Sequence, residues 1–403
     1  MVDVMTGLAY LSRTEGTGGA IARAPEDFIV EEITEGGKIL RIGKEFMMNG
    51  EPGNYSVFAL QKRMWSTQDA IKALADALGV QTRCFSAAGN KDRNAVTAQL
   101  ISCWGVKPER IMKISIKDLK ILGCWASNKP IEIGGLLGNR FKIRIDGVEE
   151  RTAARKVIEE TDGLFPNYFG PQRFGMRGNN HIVGRHIVRG DVQAAVKEFI
   201  ENGEDEDPDS RNARSTARNE GINGRTLELF PRKLNHERTM IRHLLRKPGD
   251  YVGAIKEIPR NLQMILVQSY QSYIFNLMLS ERIRAGELEP KDGESTCGLN
   301  SYGFIDPETK GNEHTLSRMI GYDTIPTEAE EGILWKEGIE TANFRIRHLP
   351  ELSMKGSARP FLSNMKRFRI SGKEKYVMTL GFALPKGSYA TVAVREVTGR
   401  NKK

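Results

Sequence analysis

Strand patterns occur near both ends of this sequence, and a mostly helical pattern lies between them. Residues 141–145 alternate between apolar and basic side chains, which predicts a strand with one apolar and one basic face. Near the C-terminus, strands are predicted over 376–384 and 389–397, with a turn at 385–388 joining them. This order predicts an α+β domain formed from both chain ends, with a helical insertion between them. A split into two domains at the middle is the alternative, and the C-terminal strands would then need a sheet of their own.

Several helices can be predicted from their capping residues and apolar stripes. Ser66 begins an amphipathic helix that Gly79 ends, and Asp191 begins a second. The longest helix is predicted over 260–284, where apolar residues recur at helical spacing. The acidic run 204–209 cannot be buried, so we expect a solvated loop there.

Composition excludes several classes of protein. The 403 residues are 39% hydrophobic and 28% charged, which is typical of a chain that buries a core and not of a disordered one. No apolar run is long enough for a membrane helix, and the N-terminus does not resemble a signal peptide, so a cytoplasmic protein is expected. The four cysteines occur singly and are expected to be free thiols, and the histidine spacings do not fit a helical metal site. We therefore predict no metal.

The net charge of +9 is concentrated in two basic clusters. One lies between Lys355 and Lys375, where seven basic residues accompany one acid, and the other lies between Arg140 and Lys156. Aromatic residues are interleaved with both: Phe141, Phe361 and Phe368. Such clusters suit a polyphosphate backbone, although a basic face can also be solvated and have no partner.

Asp92 lies on a turn between two apolar segments. The turn signal Gly89-Asn90 precedes it, and Lys91 and Arg93 flank it. Nearby positive charge favours the ionised carboxylate, which a nucleophile or a general base requires. The same pattern also fits an ordinary turn aspartate in solvent.

The segment Ala88–Gln99, which contains Asp92, resembles the signature of the TruD family of tRNA pseudouridine synthases. Four further segments are similar to family motifs in the expected order: Pro25–Phe28, Gly138–Phe141, Asn167–Gly175 and Leu384–Thr391 with Arg395-Glu396. Together the five segments span almost the whole chain, so the resemblance is highly specific.

The resemblance implies a fold and the positions of its domain boundaries in the sequence. The catalytic domain of a pseudouridine synthase, built on a mixed sheet, is expected from residues 1–164 and 361–403. A largely helical α+β insertion domain is expected over 165–360.

The resemblance also implies roles for individual residues. Asp92 would be the nucleophile, Phe141 would stack on the target base, and Asn139 would line the same pocket. A basic residue is expected near the aspartate, and Arg23 is the candidate, although Ala22 occupies the aligned position. Two further residues would bind substrate: Lys91 and Arg173.

The implied reaction detaches a uracil from C1′, turns it and reattaches it through C5. This isomerisation requires no cofactor or metal. The carboxylate would attack either C1′ or C6, and the base must first be flipped out of the RNA. The resemblance implies tRNA as the partner and uridine 13 as the target. Nothing in the sequence indicates an obligate interface, so a monomer is expected.

Two other classes of function are weighed against this reading. A non-catalytic RNA-binding protein or RNA chaperone on the same scaffold would have the same basic surface. Only the role of Asp92, catalytic or not, would distinguish such a protein from the enzyme. An RNA enzyme that uses a nucleotide or a methyl donor is disfavoured, because Gly16–Gly19 is neither a Walker A loop nor a good dinucleotide fingerprint.

Overall fold

The strands near the two ends of the chain meet in one mixed sheet. The structure is a computed structural model and describes residues 5–203, 206–372 and 374–399. The strands are β1 (Ala20–Ile21), β2 (Phe28–Ile33), β3 (Tyr55–Arg63), β4 (Phe85–Ala87), β5 (Val96–Trp104), β6 (Leu119–Ser127), β7 (Gly138–Asp146), β8 (Leu164–Pro166), β9 (Thr296–Leu299), β10 (Ile305–Asp306), β11 (His314–Met319), β12 (Ser357–Pro360), β13 (Leu362–Asn364), β14 (Lys366–Ser371) and β15 (Val377–Pro385). The α-helices are α1 (Thr67–Leu78), α2 (Pro108–Met112), α3 (Ala153–Thr161), α4 (Asn180–Val188), α5 (Val192–Glu201), α6 (Pro208–Glu220), α7 (Gly224–Leu229), α8 (Asn235–Arg246), α9 (Tyr251–Lys256), α10 (Arg260–Ala285), α11 (Glu328–Lys336) and α12 (Ala390–Thr398).

The main sheet runs in the order β14-β15-β7-β2-β5-β3-β6, with β1 paired to β7 and β4 paired to β5. The pair β2–β5 is parallel, whereas β2–β7, β7–β15 and β3–β5 are antiparallel. Strands from both chain ends are therefore neighbours in one sheet. This arrangement confirms the α+β expectation.

The chain divides into a sheet unit and a helical unit. The sheet unit contains Leu11–Phe165, Gly298–Thr309 and the residues from Leu362 onward. The helical unit contains the residues up to Tyr10, Pro166–Cys297 and Lys310–Phe361. The domain limits expected from the sequence remain predictions, and the units differ from them at the first ten residues and at 298–309.

The sheet unit buries an amphipathic helix on one face of the sheet. Ser66 begins α1 as expected, because its hydroxyl accepts a hydrogen bond from the Asp69 N–H at 3.0 Å. Gly79 ends the helix in the left-handed region at φ +67°, where glycine has no steric cost. The apolar side of α1 packs with Phe58 and Ile101 of the sheet, and this packing makes one core of the unit.

The helical unit is organised around α10, the longest helix, which confirms the expectation over 260–284. Gly184 lies where α4 crosses α10, and a Cβ there would be 2.1 Å from the Leu266 carbonyl oxygen. Only glycine allows so close an approach of the two backbones. Asp191 caps α5 as expected, since its carboxylate accepts from the Ala194 N–H at 2.9 Å.

The strand predicted over 389–397 is wrong, because these residues belong mostly to helix α12. The valines of this segment favour a strand by propensity, yet the helix is buried on nearly all sides and packs against α3. Tertiary packing therefore outweighs the local preference. The strand predicted over 376–384 is confirmed as β15.

The acidic run is only partly the solvated loop that we expected. Glu204 and Asp205 lie outside the described residues. Asp207 is exposed and caps α6, so Pro208 and Asp209 form the first turn of a helix. Proline at the first position and acidic residues in the first turn both favour a helix N-terminus, and this signal was missed.

Three of the four cysteines are buried and Cys84 is half-buried, all as free thiols. Burial raises the pKa of Cys103 to about 11 and that of Cys124 to about 12, so both thiols stay protonated at neutral pH. Within the described ranges, no helix is both long and apolar enough to cross a membrane.

Candidate active site

One row of side chains crosses the sheet beneath the Asp92 turn. Phe141 is the register partner of Val30, Val30 is the partner of Thr97, and Thr97 is the partner of Lys62. Residues that are directly opposite in neighbouring strands project to the same face of the sheet. An aromatic ring and a buried lysine therefore share one face, three strands apart.

A second, polar row lies two residues further along these strands. Glu32 and Asn139 are register partners, and Gln99 follows Thr97 by two residues on β5. Because side chains alternate along a strand, these three project to the same face as the first row. Polar side chains on a sheet face need partners, and the turn that carries Asp92 supplies them for Glu32 and Gln99.

Hydrogen bonds connect this turn to the sheet and to α1. The Lys91 backbone N–H donates to Thr67 Oγ1 at 2.9 Å, and the Thr67 hydroxyl donates to Gln99 Oε1 at 2.9 Å. The Gln99 amide nitrogen in turn donates to the Gly89 carbonyl at 3.1 Å. This closed chain fixes the backbone on the N-terminal side of Asp92.

Lys91 fixes the same turn through its side chain. Its Nζ lies 3.1 Å from Glu32 Oε2, and the two side chains are 6% and 1% exposed. The other carboxylate oxygen of Glu32 accepts from the Leu100 N–H at 3.0 Å. Lys91 is thus a buried partner of Glu32, and its role in substrate binding remains a prediction.

Lys62 is the site residue that the sequence reasoning missed. It is fully buried, and its ammonium group donates to three carbonyl oxygens: Trp65 at 2.5 Å, Asp92 at 3.1 Å and Lys91 at 3.2 Å. Burial lowers the pKa of Lys62 to about 8, against the opposing effect of the Asp92 charge. The triplet Gln61-Lys62-Arg63 has the pattern of an ordinary strand end, and only the pairing of β3 with β5 places Lys62 here.

The Asp92 residue is exposed at the surface, so a ligand can reach it. The surrounding protein raises the pKa of its carboxyl, whereas the positive charges of Lys62 and Lys91 lower it. Arg93, which the sequence suggested as the second flanking cation, is not among the charges that act on it. The site therefore places an accessible carboxylate beside two buried ammonium groups.

Phe141 lies in an aromatic cluster and is 7% exposed. Its ring centroid is 6.3 Å from that of Phe28 and 5.6 Å from that of Phe382. Neighbouring Asn139 is half-buried, and its Oδ1 is buried without a hydrogen-bond partner among the described residues. A buried acceptor without a partner is costly, which makes Asn139 a candidate to bind a polar ligand.

The two arginines expected at the site have different surroundings. Arg23 is exposed and is not among the charges that act on Asp92. Arg173 belongs to the helical unit, where its Nε donates to Ser272 Oγ at 3.1 Å and its guanidinium lies over the Phe169 ring. Roles for both in substrate binding stay predictions.

The basic side chains of β7 project to the opposite sheet face from Phe141, as the alternation predicts. Arg140 pairs with Glu31 at 2.5 Å, and Arg144 pairs with Asp146 at 2.8 Å. Two cations of this cluster are therefore neutralised within the protein, whereas Lys142, Arg155 and Lys156 are exposed.

The second basic cluster is divided. Arg359 donates to the Asn167 backbone in the helical unit, and Lys373 lies outside the described residues. Arg367 and Arg369 are exposed on β14, an edge strand of the main sheet, and pair with no carboxylate in the described part of the chain. This edge is a basic surface that is open to a polyanion.

No group of three or more His, Cys, Asp or Glu side chains within 5–203, 206–372 and 374–399 is arranged to hold a metal ion. The chemistry that the site supports is that of its carboxylate. A carboxylate can act as a nucleophile or as a base.

Comparison with known proteins identifies relatives along nearly the whole chain. Residues 5–397 match the family model described as tRNA pseudouridine synthase D (TruD). A Methanosarcina mazei protein named "Probable tRNA pseudouridine synthase D" is 35% identical, covering 96% of this chain and 94% of its own. A Methanocaldococcus jannaschii protein named "Probable tRNA pseudouridine synthase D 1" is 36% identical, covering 94% and 95%. A crystal structure of a Methanosarcina mazei protein described as tRNA pseudouridine synthase D superposes with a TM-score of 0.77 at 33% identity, covering 99% of this chain and 98% of that one.

Proposed function

The chain belongs to the tRNA pseudouridine synthase D (TruD) family, and from this premise we propose that Asp92 is the nucleophile that isomerises a tRNA uridine to pseudouridine. The enzyme is an isomerase that acts on tRNA. One observation carries the assignment of the nucleophile: Asp92 is an accessible carboxylate on a turn fixed from below by Lys62 and Lys91. Such rigid support is what positioning a reacting group requires.

The carboxylate acts on a uridine that has left the base stack. Attack at C1′ bonds the Asp92 oxygen to the sugar and displaces the uracil as the N1–C1′ bond breaks. Attack at C6 instead adds the Asp92 oxygen across the C5–C6 double bond, and the N1–C1′ bond breaks afterwards. The uracil then turns, C5 bonds to C1′, the C5 proton is lost and the carboxylate leaves. Flipping the base out of a stacked RNA is required before either attack.

Two residues of the sheet face are proposed to hold the flipped base. Phe141 would stack on the uracil, with its ring held in place by contacts with Phe28 and Phe382. The unpartnered Oδ1 of Asn139 would accept a hydrogen bond from the uracil N3–H. A hydrogen bond of this kind would satisfy the buried acceptor.

The edge strand β14 is proposed to bind the phosphates of the tRNA. Arg367 and Arg369 are exposed there, and phosphate contacts position an RNA without reading its sequence. The proposed target within the tRNA is uridine 13, which the family resemblance supports.

The experiment is tritium release from an unmodified tRNA transcript labelled at C5 of uridine. Formation of the new bond expels the C5 hydrogen, so the assay reports the reaction directly. We expect release that disappears when uridine 13 alone is replaced by cytidine. Release that persists with the cytidine transcript would contradict the target, and tRNA binding without release would favour the RNA-binding reading.

A further inference from the structure

The strongest unassigned feature is the buried ammonium group of Lys62. Its three carbonyl partners come from two segments, Trp65 after β3 and the Lys91-Asp92 turn before β5. An ammonium group has three N–H donors, so these contacts use all of them. Burying a cation is costly unless its surroundings compensate, and here the three carbonyl oxygens do so.

We propose that Lys62 is a positioning residue for the proposed nucleophile, which holds the Asp92 backbone in place and keeps the Asp92 carboxylate ionised. This inference rests on the proposed function of Asp92. The first effect is geometric, because the Asp92 carbonyl lies 3.1 Å from Nζ. The second is electrostatic, because a positive charge beneath the turn stabilises the negative carboxylate above it.

The geometry argues against a role for Lys62 as a proton acceptor. A lysine acts as a base through the lone pair of its neutral amine, and Nζ is enclosed by three carbonyl acceptors that favour the protonated form. The side chain is also fully buried, so a substrate cannot contact it. Lys62 therefore acts through Asp92.

The charged groups around this pair are few. Asp92 and Lys91 act directly on Lys62, and Glu32 neutralises Lys91 through their ion pair. Since Lys91 has a carboxylate partner of its own, Lys62 is the cation whose charge is left to balance Asp92. Removal of the Lys62 charge should therefore change the ionisation of Asp92 more than removal of a hydrogen bond in the same turn does.

The test compares two variants by tritium release as a function of pH. Lys62→Met keeps the length of the side chain and removes the charge. We expect kcat to fall about 100-fold with KM within about threefold, as for a displaced reacting group. The acid limb of the kcat profile should move to higher pH by about one unit, because Asp92 loses a stabilising positive charge.

Thr67→Val is the matched control, because it removes the two hydrogen bonds of the Thr67 hydroxyl, to the Lys91 N–H and to Gln99 Oε1, and leaves both cations in place. For Thr67→Val we expect a lower kcat, with the acid limb of the kcat profile at the same pH as in the wild type. If the acid limb of the kcat profile lies at the same pH in Lys62→Met and in the wild type, the proposal is overturned and the pseudouridine synthase assignment stays intact. Absence of release by the wild type would instead count against the proposed function.

If the Lys62→Met protein does not fold, a second measurement on two other proteins tests the same coupling. The ¹³Cε signal of Lys62 is titrated in the wild type and in Asp92→Asn, which keeps the shape of the side chain. Loss of the Asp92 charge should lower the pKa of Lys62 below its value of about 8. An unchanged titration midpoint would show that the two charges are not coupled, which contradicts the proposal.

Discussion

Lys91 and Glu32 form a buried ion pair between the Asp92 turn and strand β2, with 3.1 Å from Nζ to Oε2. Glu32 also accepts the Leu100 N–H, so a single carboxylate connects the turn to β5 as well. The Asp92 turn is therefore supported by a polar network within a sheet face. Networks of this kind are rigid when every member is satisfied and costly when one is removed.

Replacing Glu32 by glutamine should destabilise the fold. The glutamine can still accept from Leu100, but it leaves the buried Lys91 ammonium without a counter-charge. Breaking a buried ion pair in this way costs about 3–5 kcal/mol, which urea unfolding would measure. Combining Glu32→Gln with Lys91→Met should recover part of the loss, and strictly additive effects would contradict the coupling.

Asp92 should ionise at a higher pH than a free aspartate. Partial desolvation by the surrounding protein is the largest influence and raises the pKa of its carboxyl, with Lys62 and Lys91 opposing it. Since the proposed nucleophile must be ionised, kcat should decline on the acid side at a pH above the pKa of a free aspartate. Direct ¹³Cγ titration of Asp92 checks this, and a pKa at or below the reference of 3.8 would be inconsistent with it.

Glu396 should make the protein less stable as the pH rises from about 4.5 to about 7. Burial raises the pKa of this carboxyl to about 7 in the folded state, against 4.5 when solvated. The unfolded chain therefore loses its proton first, and stability falls across that window by on the order of 3 kcal/mol. Below the window both states are protonated, so the effect is absent.

Glu396→Gln is the variant that isolates this effect. Its amide oxygen can still accept the Ser12 N–H, which lies 2.6 Å from Glu396 Oε1 in the wild type. We expect the difference in unfolding free energy between variant and wild type to grow with pH up to about 7 and then level off. A difference independent of pH would show that Glu396 does not titrate within the window.

Reversing the charges on the edge strand should weaken tRNA binding. The double change Arg367→Glu with Arg369→Glu removes two exposed cations from β14. We expect lower tRNA affinity at low salt. The slope of log affinity against log salt concentration should also be smaller, by the equivalent of about one to two phosphate contacts. Binding measured at several salt concentrations checks both.

The matched control reverses Lys113 and Lys120, two exposed lysines near the opposite edge of the sheet, the second on β6 itself. This variant has the same change in net charge. It should retain wild-type affinity and salt dependence. Equal losses in the two double variants would indicate a general charge effect and not a surface at β14.

Helices and strands were predictable from the sequence where residues within one short segment determine them. Ser66 and Gly79 bound α1 because capping depends on residues a few positions apart. The strand at 141–145 was predictable from its alternation. Helix α12 was not, since its valines favour a strand and only packing against α3 decides the outcome.

The sequence indicates Asp92 as a candidate nucleophile, which stays a prediction, but it does not indicate the residues that support the Asp92 turn. Asp92 is singled out by the turn signal and the family resemblance, whereas Lys62 lies 30 residues earlier, on strand β3. Its position depends on the register Lys62–Thr97 and on the turn that covers both. Such a relationship between distant segments has no local pattern in the sequence.

The most direct test of the account is tritium release from C5-labelled tRNA by the wild type and by Asp92→Asn. Asp76→Asn, an exposed aspartate on α1, is the control for loss of a carboxylate elsewhere. We expect release by the wild type and the control, none by Asp92→Asn, and tRNA affinity within about threefold in all three, since only the nucleophile is lost. Substantial release by Asp92→Asn would contradict the central claim that this carboxylate performs the reaction.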